Sequence, residues 1–233
     1  MSPEPVQVEV FGDHDKLAEA AADLIAGALL EGVMTRGWAS FAGAGGTTPA
    51  PLYRLLAHRD LPWSKVGVTL TDERFVDPAS PQSNQRLFSE TLLAGFARKA
   101  AFMPLMNPAP SPAEAAQAVE AEVRALLPFD AVLLGMGEDG HFASLFPHSP
   151  ALALGLDPEA KAVVVSVPAG IPAPPQERLT LTLAALLSAK LIVVLITGDA
   201  KRAVLERAQS VATLPISAVL NQDRVPVRIL WAA

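Results

Sequence analysis

The sequence contains no cysteine and comparatively few charged residues, and both shortages exclude classes of protein. Among 233 residues there are 18 Lys and Arg, 24 Asp and Glu, and no Cys. Without a thiol the chain cannot form a disulfide, a thiolate zinc site or an iron–sulfur cluster, and it cannot use a cysteine nucleophile. The absence of cysteine also fits a reducing compartment.

A basic surface and a long apolar segment are missing as well. The formal net charge is -6, whereas a nucleic-acid surface needs clustered Lys and Arg. The most apolar long stretch, residues 179–196, is interrupted by Thr, Ser and Lys, so we expect no membrane span. Residues 1–5 lack the basic and apolar regions of a secretory signal. We therefore expect a cytoplasmic protein, a monomer or small homo-oligomer, that binds neither nucleic acid nor membranes.

Hydrophobic residues make up 51% of the chain, enough to bury a substantial core. Proline is unusually frequent, with 21 residues that cluster at 108–112 and 168–175. Both clusters are too short and too apolar to be flexible linkers, so they indicate rigid connections. We therefore predict a single α/β domain over residues 1–233.

Short β-branched runs alternate with amphipathic helical patterns along the chain. Strands are predicted at residues 6–11, 38–42, 66–71, 129–134, 162–167, 191–196 and 225–230. Helices are predicted at residues 15–36, 51–58, 84–97, 111–127, 183–189 and 201–209. The alternation predicts a doubly wound, mainly parallel sheet of about seven strands with helices on both faces, a Rossmann-like three-layer sandwich. Ligands of such sheets bind beyond the carboxyl ends of strands, so the segments that follow strands carry the functional signal.

The first such segment, residues 43–49, reads Gly-Ala-Gly-Gly-Thr-Thr-Pro and precedes a predicted helix. Backbone N–H groups of Gly45, Gly46 and Thr47, near a helix amino terminus, suit a phosphate. A tight strand-to-helix turn explains the pattern equally well. The lysine of a Walker A loop is absent, so a simple phosphoester is favoured over a nucleoside triphosphate.

The second segment, residues 72–77, reads Asp-Glu-Arg-Phe-Val-Asp. Its composition alone is also typical of a solvated turn. Its position after a strand favours function instead, because Arg74 held by acids such as Asp72 is oriented to bind phosphate or carboxylate oxygens.

The third segment, residues 135–147, contains the pattern Gly-x-Gly-x-x-Gly followed by His141. A dinucleotide site is disfavoured, because Glu138 and Asp139 place negative charge where a pyrophosphate would bind. A histidine beside an acid on a glycine-hinged loop instead indicates a general base. A purely structural histidine is the alternative.

The fourth signal is a pair of cations, Arg178 and Lys201. A lysine in the first turn of a helix opposes the helix dipole unless an anion lies nearby, and a phosphate would be such an anion. The alternative is a surface lysine paired with Asp199 or Glu206. The sequence contains no Gly-x-Ser-x-Gly nucleophile elbow and no cluster of metal-ligand residues. We therefore expect chemistry without metal or cofactor.

Taken in order, these segments resemble the family of 6-phosphogluconolactonases and glucosamine-6-phosphate deaminases. The resemblance extends over nearly the whole chain, from about residue 8 to residue 230. Its most specific parts are residues 45–49 (Gly-Gly-Thr-Thr-Pro), 72–76 (Asp-Glu-Arg-Phe-Val), 135–147, and 178–180 with 198–201. Any one of these motifs is weak evidence, whereas all of them in the same order are strong.

The resemblance implies hydrolysis of 6-phospho-D-glucono-1,5-lactone to 6-phosphogluconate, without metal or cofactor. A lactone is an activated ester, so a base that deprotonates water is sufficient and no covalent nucleophile is required. His141 is the expected base. Asp139 is expected to position substrate hydroxyls or a neighbouring cation, and Asp72 to organise the arginines. The substrate phosphate is expected to bind the loop amides of Gly45, Gly46 and Thr47 together with Arg74, Arg178 and Lys201. Which of these cations contact the phosphate and which contact sugar oxygens stays open at this point.

Two alternatives remain within this fold. Deaminases of the family continue the Asp-Gly-His segment with Ile-Ala-Phe-Asn-Glu-Pro, in which the glutamate orients the histidine. Phe146 occupies that position here, and Arg74 replaces a tyrosine, so the lactonase is favoured. A non-catalytic sugar-phosphate sensor is disfavoured, because such regulators usually carry a DNA-binding segment.

Overall fold

The computed structural model describes residues 6–170, 175–210 and 213–233. The strands are β1 Val8–Phe11, β2 Ala39–Gly43, β3 Val66–Leu70, β4 Asp72–Arg74, β5 Ala101–Phe102, β6 Ala131–Leu134, β7 Val164–Val167, β8 Arg178–Leu181, β9 Ile192–Thr197 and β10 Val227–Ala232. The α-helices are α1 His14–Arg36, α2 Ala50–Ala57, α3 Asn84–Glu90, α4 Pro112–Arg124, α5 Leu152–Gly155, α6 Leu183–Leu186, α7 Asp199–Ser210 and α8 Ser217–Leu220. Short 3₁₀ segments lie at Trp63–Lys65 and Gly95–Lys99.

The predicted α/β class is confirmed by a seven-stranded sheet in the order β1-β10-β9-β6-β2-β3-β5. Every pairing in this sheet is parallel. The strands β2, β3 and β6 are fully buried, as expected when helices cover both faces of a parallel sheet. The fold is the three-layer arrangement that the strand–helix alternation predicts.

Helix α1 illustrates how local signals and packing agree. Its first turn is capped by Asp13, whose Oδ1 accepts a hydrogen bond of 2.8 Å from the backbone N–H of Lys16. Its last turn ends at Gly37, which adopts the left-handed conformation with φ of 81°. Its apolar face, which includes Leu17 and Ile25, is buried against strands of the main sheet. None of the described helices is long and apolar enough to cross a membrane.

The direction of chain crossover reverses between β2 and β6. From β2 the chain moves to β3 and then β5 on one side, and β6 returns to the other side of β2, followed outward by β9 and β10. The loops that leave the carboxyl ends of β2 and β6 therefore diverge. Such a switch point leaves a crevice in which ligands of open α/β sheets bind.

A second sheet, which the sequence pattern did not predict, covers part of this crevice. It is three-stranded and antiparallel, in the order β4-β8-β7. The segment at residues 162–167 does form a strand, β7, but it pairs with β8 and not with the main sheet. The pattern of side chains along a strand does not show which neighbour it pairs with. The seventh strand of the main sheet is instead the two-residue β5.

Two predicted helices were wrong in extent. The helix expected over residues 84–97 ends at Glu90, and Gly95 with φ of 53° opens a separate 3₁₀ segment. The helix expected to reach residue 127 ends at Arg124. The strands β4 and β8 were not predicted, because runs of three or four residues show no clear alternation of apolar and polar side chains. Part of the proline cluster at 168–175, residues 171–174, lies outside the described residues.

Asp130, immediately before β6, joins three elements at the opposite end of the sheet from the crevice. Its side chain is fully buried and accepts a 2.9 Å hydrogen bond from the backbone N–H of Ser40 in β2. Its carboxylate also lies 2.7 Å from Arg36 of α1 and 3.3 Å from Lys190. This contact fixes α1 against the two central strands.

We expect Asp130→Ala to lower the free energy of unfolding by about 2 kcal/mol, because the buried Ser40 N–H loses its acceptor while both cations can turn towards solvent. Asp130→Asn should cost less, since it keeps an acceptor. Urea denaturation measures the difference, with the exposed Glu19→Ala on α1 as the control. Equal stability of Asp130→Ala and Glu19→Ala would contradict a structural role for Asp130.

Candidate active site

A cavity of about 280 Å³ opens at the carboxyl ends of the central strands, at the switch point between β2 and β6. Its walls come from the loop after β2, from β4, from the start of α3, from the loop after β6, from β8 and from α7. The lining residues that carry polar chemistry are Gly45, Gly46, Thr47, Thr48, Asp72, Arg74, Asn84, Gly137, His141, Arg178 and Lys201.

The loop after β2, residues 43–49, forms one wall of the cavity and leads into α2. Gly46 has φ of 90°, a conformation that a residue with a side chain rarely adopts. The only tyrosine of the chain, Tyr53 on α2, donates a 2.5 Å hydrogen bond to the carbonyl of Ala44. Burial raises the pKa of Tyr53 well above its ordinary value, and the nearby charge of Asp72 adds to this rise. Tyr53 therefore stays a hydrogen-bond donor that fixes the loop.

Glu73 in β4 is a fully buried carboxylate that organises the segment opposite this loop. Its Oε1 accepts from the backbone N–H groups of Arg74 and Asn84, at 2.7 and 2.8 Å. Its Oε2 accepts from the Gln85 N–H at 2.7 Å and from the Ser83 hydroxyl at 3.0 Å. Burial raises the pKa of Glu73, and these hydrogen bonds oppose the rise. Glu73 thereby holds the amino terminus of α3 against β4.

Arg178 and Asp72 face each other from the neighbouring strands β8 and β4. Arg178 Nη1 lies 4.0 Å from Asp72 Oδ2, and both side chains are almost fully buried. Asp72 Oδ2 also accepts a 2.5 Å hydrogen bond from the Ser144 hydroxyl. Burial lowers the pKa of Arg178, and the charge of Asp72 opposes this shift. An arginine keeps its charge in proteins, so Arg178 is a cation held in place by one carboxylate.

His141 and Asp139 form a hydrogen-bonded pair on the loop after β6. The Nδ1 of His141 lies 2.6 Å from Asp139 Oδ1, which also accepts from the His141 backbone N–H at 3.1 Å. The pairing directs Nδ1 towards the carboxylate and leaves Nε2 for another partner. A Cβ built on Gly137 would overlap both side chains, and Gly140 has φ of 78°. Gly137 is thus required by the close approach of the His–Asp pair, and Gly140 by its backbone conformation.

Phe146 packs against the ring of His141. Its buried ring lies 4.3 Å from the His141 ring, centroid to centroid. The guanidinium carbon of Arg178 lies 5.2 Å from the centroid of the same ring. The Phe146 ring therefore contacts both the histidine and the arginine.

Lys201 reaches the cavity from the first turn of α7. The sequence left open whether it pairs with Asp199 or Glu206. Within the described part of the chain neither carboxylate lies within ion-pairing distance of Lys201, and Glu206 instead contacts Arg202 at 3.2 Å. The lysine charge is therefore available to a ligand.

The structure brings most of the predicted site residues to one cavity. Its lining includes His141 and all seven predicted binding residues, namely Gly45, Gly46, Thr47, Asp72, Arg74, Arg178 and Lys201. Asp139 does not line the cavity, and its carboxylate contacts His141. Its expected contact with a substrate hydroxyl or a neighbouring cation stays a prediction. Among residues 6–170, 175–210 and 213–233, no group of three His, Asp or Glu side chains is placed to hold a metal ion.

Three residues that shape the site were not predicted from the sequence: Tyr53, Asn84 and Ser144. Ser144 acts through a hydrogen bond to Asp72, which lies 72 residues earlier in the sequence. Tyr53 acts through a hydrogen bond to Ala44 in the preceding loop, a contact that the helical pattern of α2 does not indicate. Asn84 directly follows the helix-capping Ser83, a local signal that explains the helix start and nothing about the cavity. Only the rarity of tyrosine in this chain could have drawn attention to Tyr53.

The fold and the cavity define a parallel α/β protein with a crevice lined by three cations and a histidine that is paired with a carboxylate. The chain matches the family model of "Glucosamine-6-phosphate isomerases/6-phosphogluconolactonase" over residues 12–231. It therefore belongs to this family, as the motifs in its sequence predict.

Known relatives agree with this membership. A 6-phosphogluconolactonase of Caulobacter vibrioides is 50% identical over 228 residues, which cover 98% of each chain. That of Pseudomonas aeruginosa is 38% identical over 98% of this chain and 96% of its own. The crystal structure of a 6-phosphogluconolactonase from Shewanella baltica superposes with a TM-score of 0.93, with 36% identity and full coverage of both chains.

We expect Glu73→Gln to lower the free energy of unfolding by about 2 kcal/mol, because an NH2 group replaces one of the two acceptor oxygens and the donors on that side lose their acceptor. Urea denaturation measures the loss. The control is Glu90→Gln at the other end of α3, where the exposed carboxylate forms an ion pair with Arg86. The anchoring role of Glu73 is refuted if the two variants are equally stable.

Proposed function

We propose that this protein hydrolyses 6-phospho-D-glucono-1,5-lactone to 6-phospho-D-gluconate, a step of the oxidative pentose phosphate pathway. The observation that carries the proposal is the position of His141, held by Asp139, in the same crevice as Arg74, Arg178 and Lys201. Family membership and the names of the relatives support it. As an enzyme of this kind it is expected in the cytoplasm, as a monomer or small homo-oligomer.

In this proposal the phosphate binds first and orients the lactone. The backbone N–H groups of Gly45, Gly46 and Thr47 and the charges of Arg74 and Lys201 suit a phosphate dianion. Binding energy from this distant group then positions the ring for reaction. Asp72 and Arg178 lie deeper, where they suit sugar oxygens.

The chemical step uses His141 as a general base. Asp139 holds the ring through Nδ1, so Nε2 accepts a proton from water as the water oxygen attacks the lactone carbonyl. The ring C–O bond then breaks, and the proton passes from His141 to the departing hydroxyl oxygen. No covalent intermediate is formed, and no metal or cofactor is required.

The first experiment compares two substrates. Lactone generated in situ should open faster with enzyme than by spontaneous hydrolysis, as followed by NMR or proton release, and a chelator should not change the rate. Glucosamine-6-phosphate should release no ammonia, since Phe146 replaces the glutamate that deaminases carry. Ammonia release would indicate a deaminase. No activity in either assay, together with tight binding of 6-phosphogluconate, would indicate a non-catalytic sensor.

His141→Ala should lower kcat by about 10²–10⁴-fold, as expected for loss of a general base. Affinity for 6-phosphogluconate should change little, because the phosphate contacts remain. The matched control is His58→Ala, which removes an exposed histidine directly after α2. Near-normal turnover by His141→Ala would rule out the proposed base.

Lys201→Ala should weaken binding of 6-phosphogluconate by about 10- to 100-fold, the range expected for loss of one charge-assisted hydrogen bond. Binding of gluconate, which lacks the phosphate, should change much less. Isothermal titration calorimetry measures both affinities, with the exposed Lys65→Ala as the control. Equal losses for the two ligands would show that Lys201 does not serve the phosphate.

A further inference from the structure

Asn84 contacts two parts of the crevice, the loop after β2 and Arg74 of β4. It is the first residue of α3, is 3% exposed and lines the cavity. Its Nδ2 donates a 2.8 Å hydrogen bond to the backbone carbonyl of Asp72, and its backbone N–H donates to Glu73. The side-chain amide is therefore fixed in orientation, with its oxygen directed away from the Asp72 carbonyl.

The Asn84 amide occupies the space beside Gly45. A Cβ built on Gly45 would overlap the Oδ1, Cγ and Nδ2 atoms of Asn84. The backbone of Gly45 does not have a positive φ, in contrast to that of Gly46, so conformational freedom does not explain the glycine. Gly45 is required here by the close approach of Asn84 to the loop.

The same amide orients Arg74. The Oδ1 of Asn84 accepts a 3.0 Å hydrogen bond from Nη1 of Arg74, which also donates to the Gln82 carbonyl at 2.8 Å. Over the ranges that the structure describes, no carboxylate lies within ion-pairing distance of Arg74. Neutral acceptors therefore hold the guanidinium in place without cancelling its charge.

We propose that Asn84 is a positioning residue for phosphate binding. Its side-chain amide sets the distance between the loop after β2 and Arg74, and it holds Arg74 without forming an ion pair with it. This inference rests on the proposed function to the extent that the loop and Arg74 bind the substrate phosphate. The choice of amide matters, because a carboxylate at this position would form an ion pair with Arg74. A shorter side chain would release both the loop and the arginine.

The primary test compares Asn84→Asp and Asn84→Ala with the wild-type enzyme. Asn84→Asp keeps the shape of the side chain and the backbone hydrogen bond to Glu73, so it should fold. Both variants should raise KM for the lactone and weaken binding of 6-phosphogluconate and inorganic phosphate by about tenfold or more, with kcat within about threefold of wild type. Calorimetry and steady-state kinetics measure these values.

Asn107→Ala is the matched control. Its side-chain amide also bonds to backbone groups, at Ala115 and Ala109, but it lies outside the cavity lining. It should change stability without changing affinity for either anion. The same affinity loss in Asn107→Ala as in Asn84→Ala would overturn the inference, because general loosening of the fold would then account for both.

A double-mutant cycle with Gly45→Ala tests the contact itself. Gly45→Ala should weaken phosphate binding in the wild type, because its methyl group displaces the Asn84 amide. In the Asn84→Ala background the same substitution should have little further effect, since the space is then vacant. Additive losses would overturn the inference, as would wild-type affinity in Asn84→Asp.

These results separate the inference from the proposed function. If the wild type binds inorganic phosphate but neither binds 6-phosphogluconate nor opens the lactone, the proposed function fails while the role of Asn84 is still decided by phosphate affinity. If the wild type opens the lactone and Asn84→Asp retains its KM, the inference alone fails.

Discussion

The reversal of crossover direction between β2 and β6 is the constraint from which the rest of the site follows. Parallel strands require crossovers that lie on the faces of the sheet, and adjacent strands whose chains leave in opposite directions cannot share a covering loop. The crevice is therefore a product of topology. Three of the elements that line it contribute amides from the loop after β2, a histidine from the loop after β6 and a lysine from α7.

The small antiparallel sheet adds the charged side chains Asp72 and Arg178 to the crevice. Thr71 connects the two sheets, because its N–H donates to Gly43 of β2 and its carbonyl accepts from Leu181 of β8. These hydrogen bonds position β4 and β8 beside the crevice, where Asp72 and Arg178 form a buried ion pair. Burying Glu73 has an energetic cost, and hydrogen bonds from the first turn of α3 offset it.

Charge is distributed unevenly in a way that suits an anionic ligand. The chain as a whole has a net charge of -6, yet the crevice contains two arginines and a lysine with one lining carboxylate, Asp72. Most other described cations of the surface are paired with acids, as Arg228 is with Glu9. Within the crevice Arg74 is held by amide and carbonyl oxygens, so its charge remains available.

The sequence by itself determined the strand–helix alternation, the parallel class and the motifs from which the family was predicted, because hydrophobic period and glycine placement are local properties. It also identified His141, Arg74 and Lys201 as candidates. Tertiary structure decided the pairing of β7 with β8, the contact of Asp139 with His141 and the place of Asn84 against Gly45. These depend on which distant segments meet, and no local pattern of side chains encodes that choice.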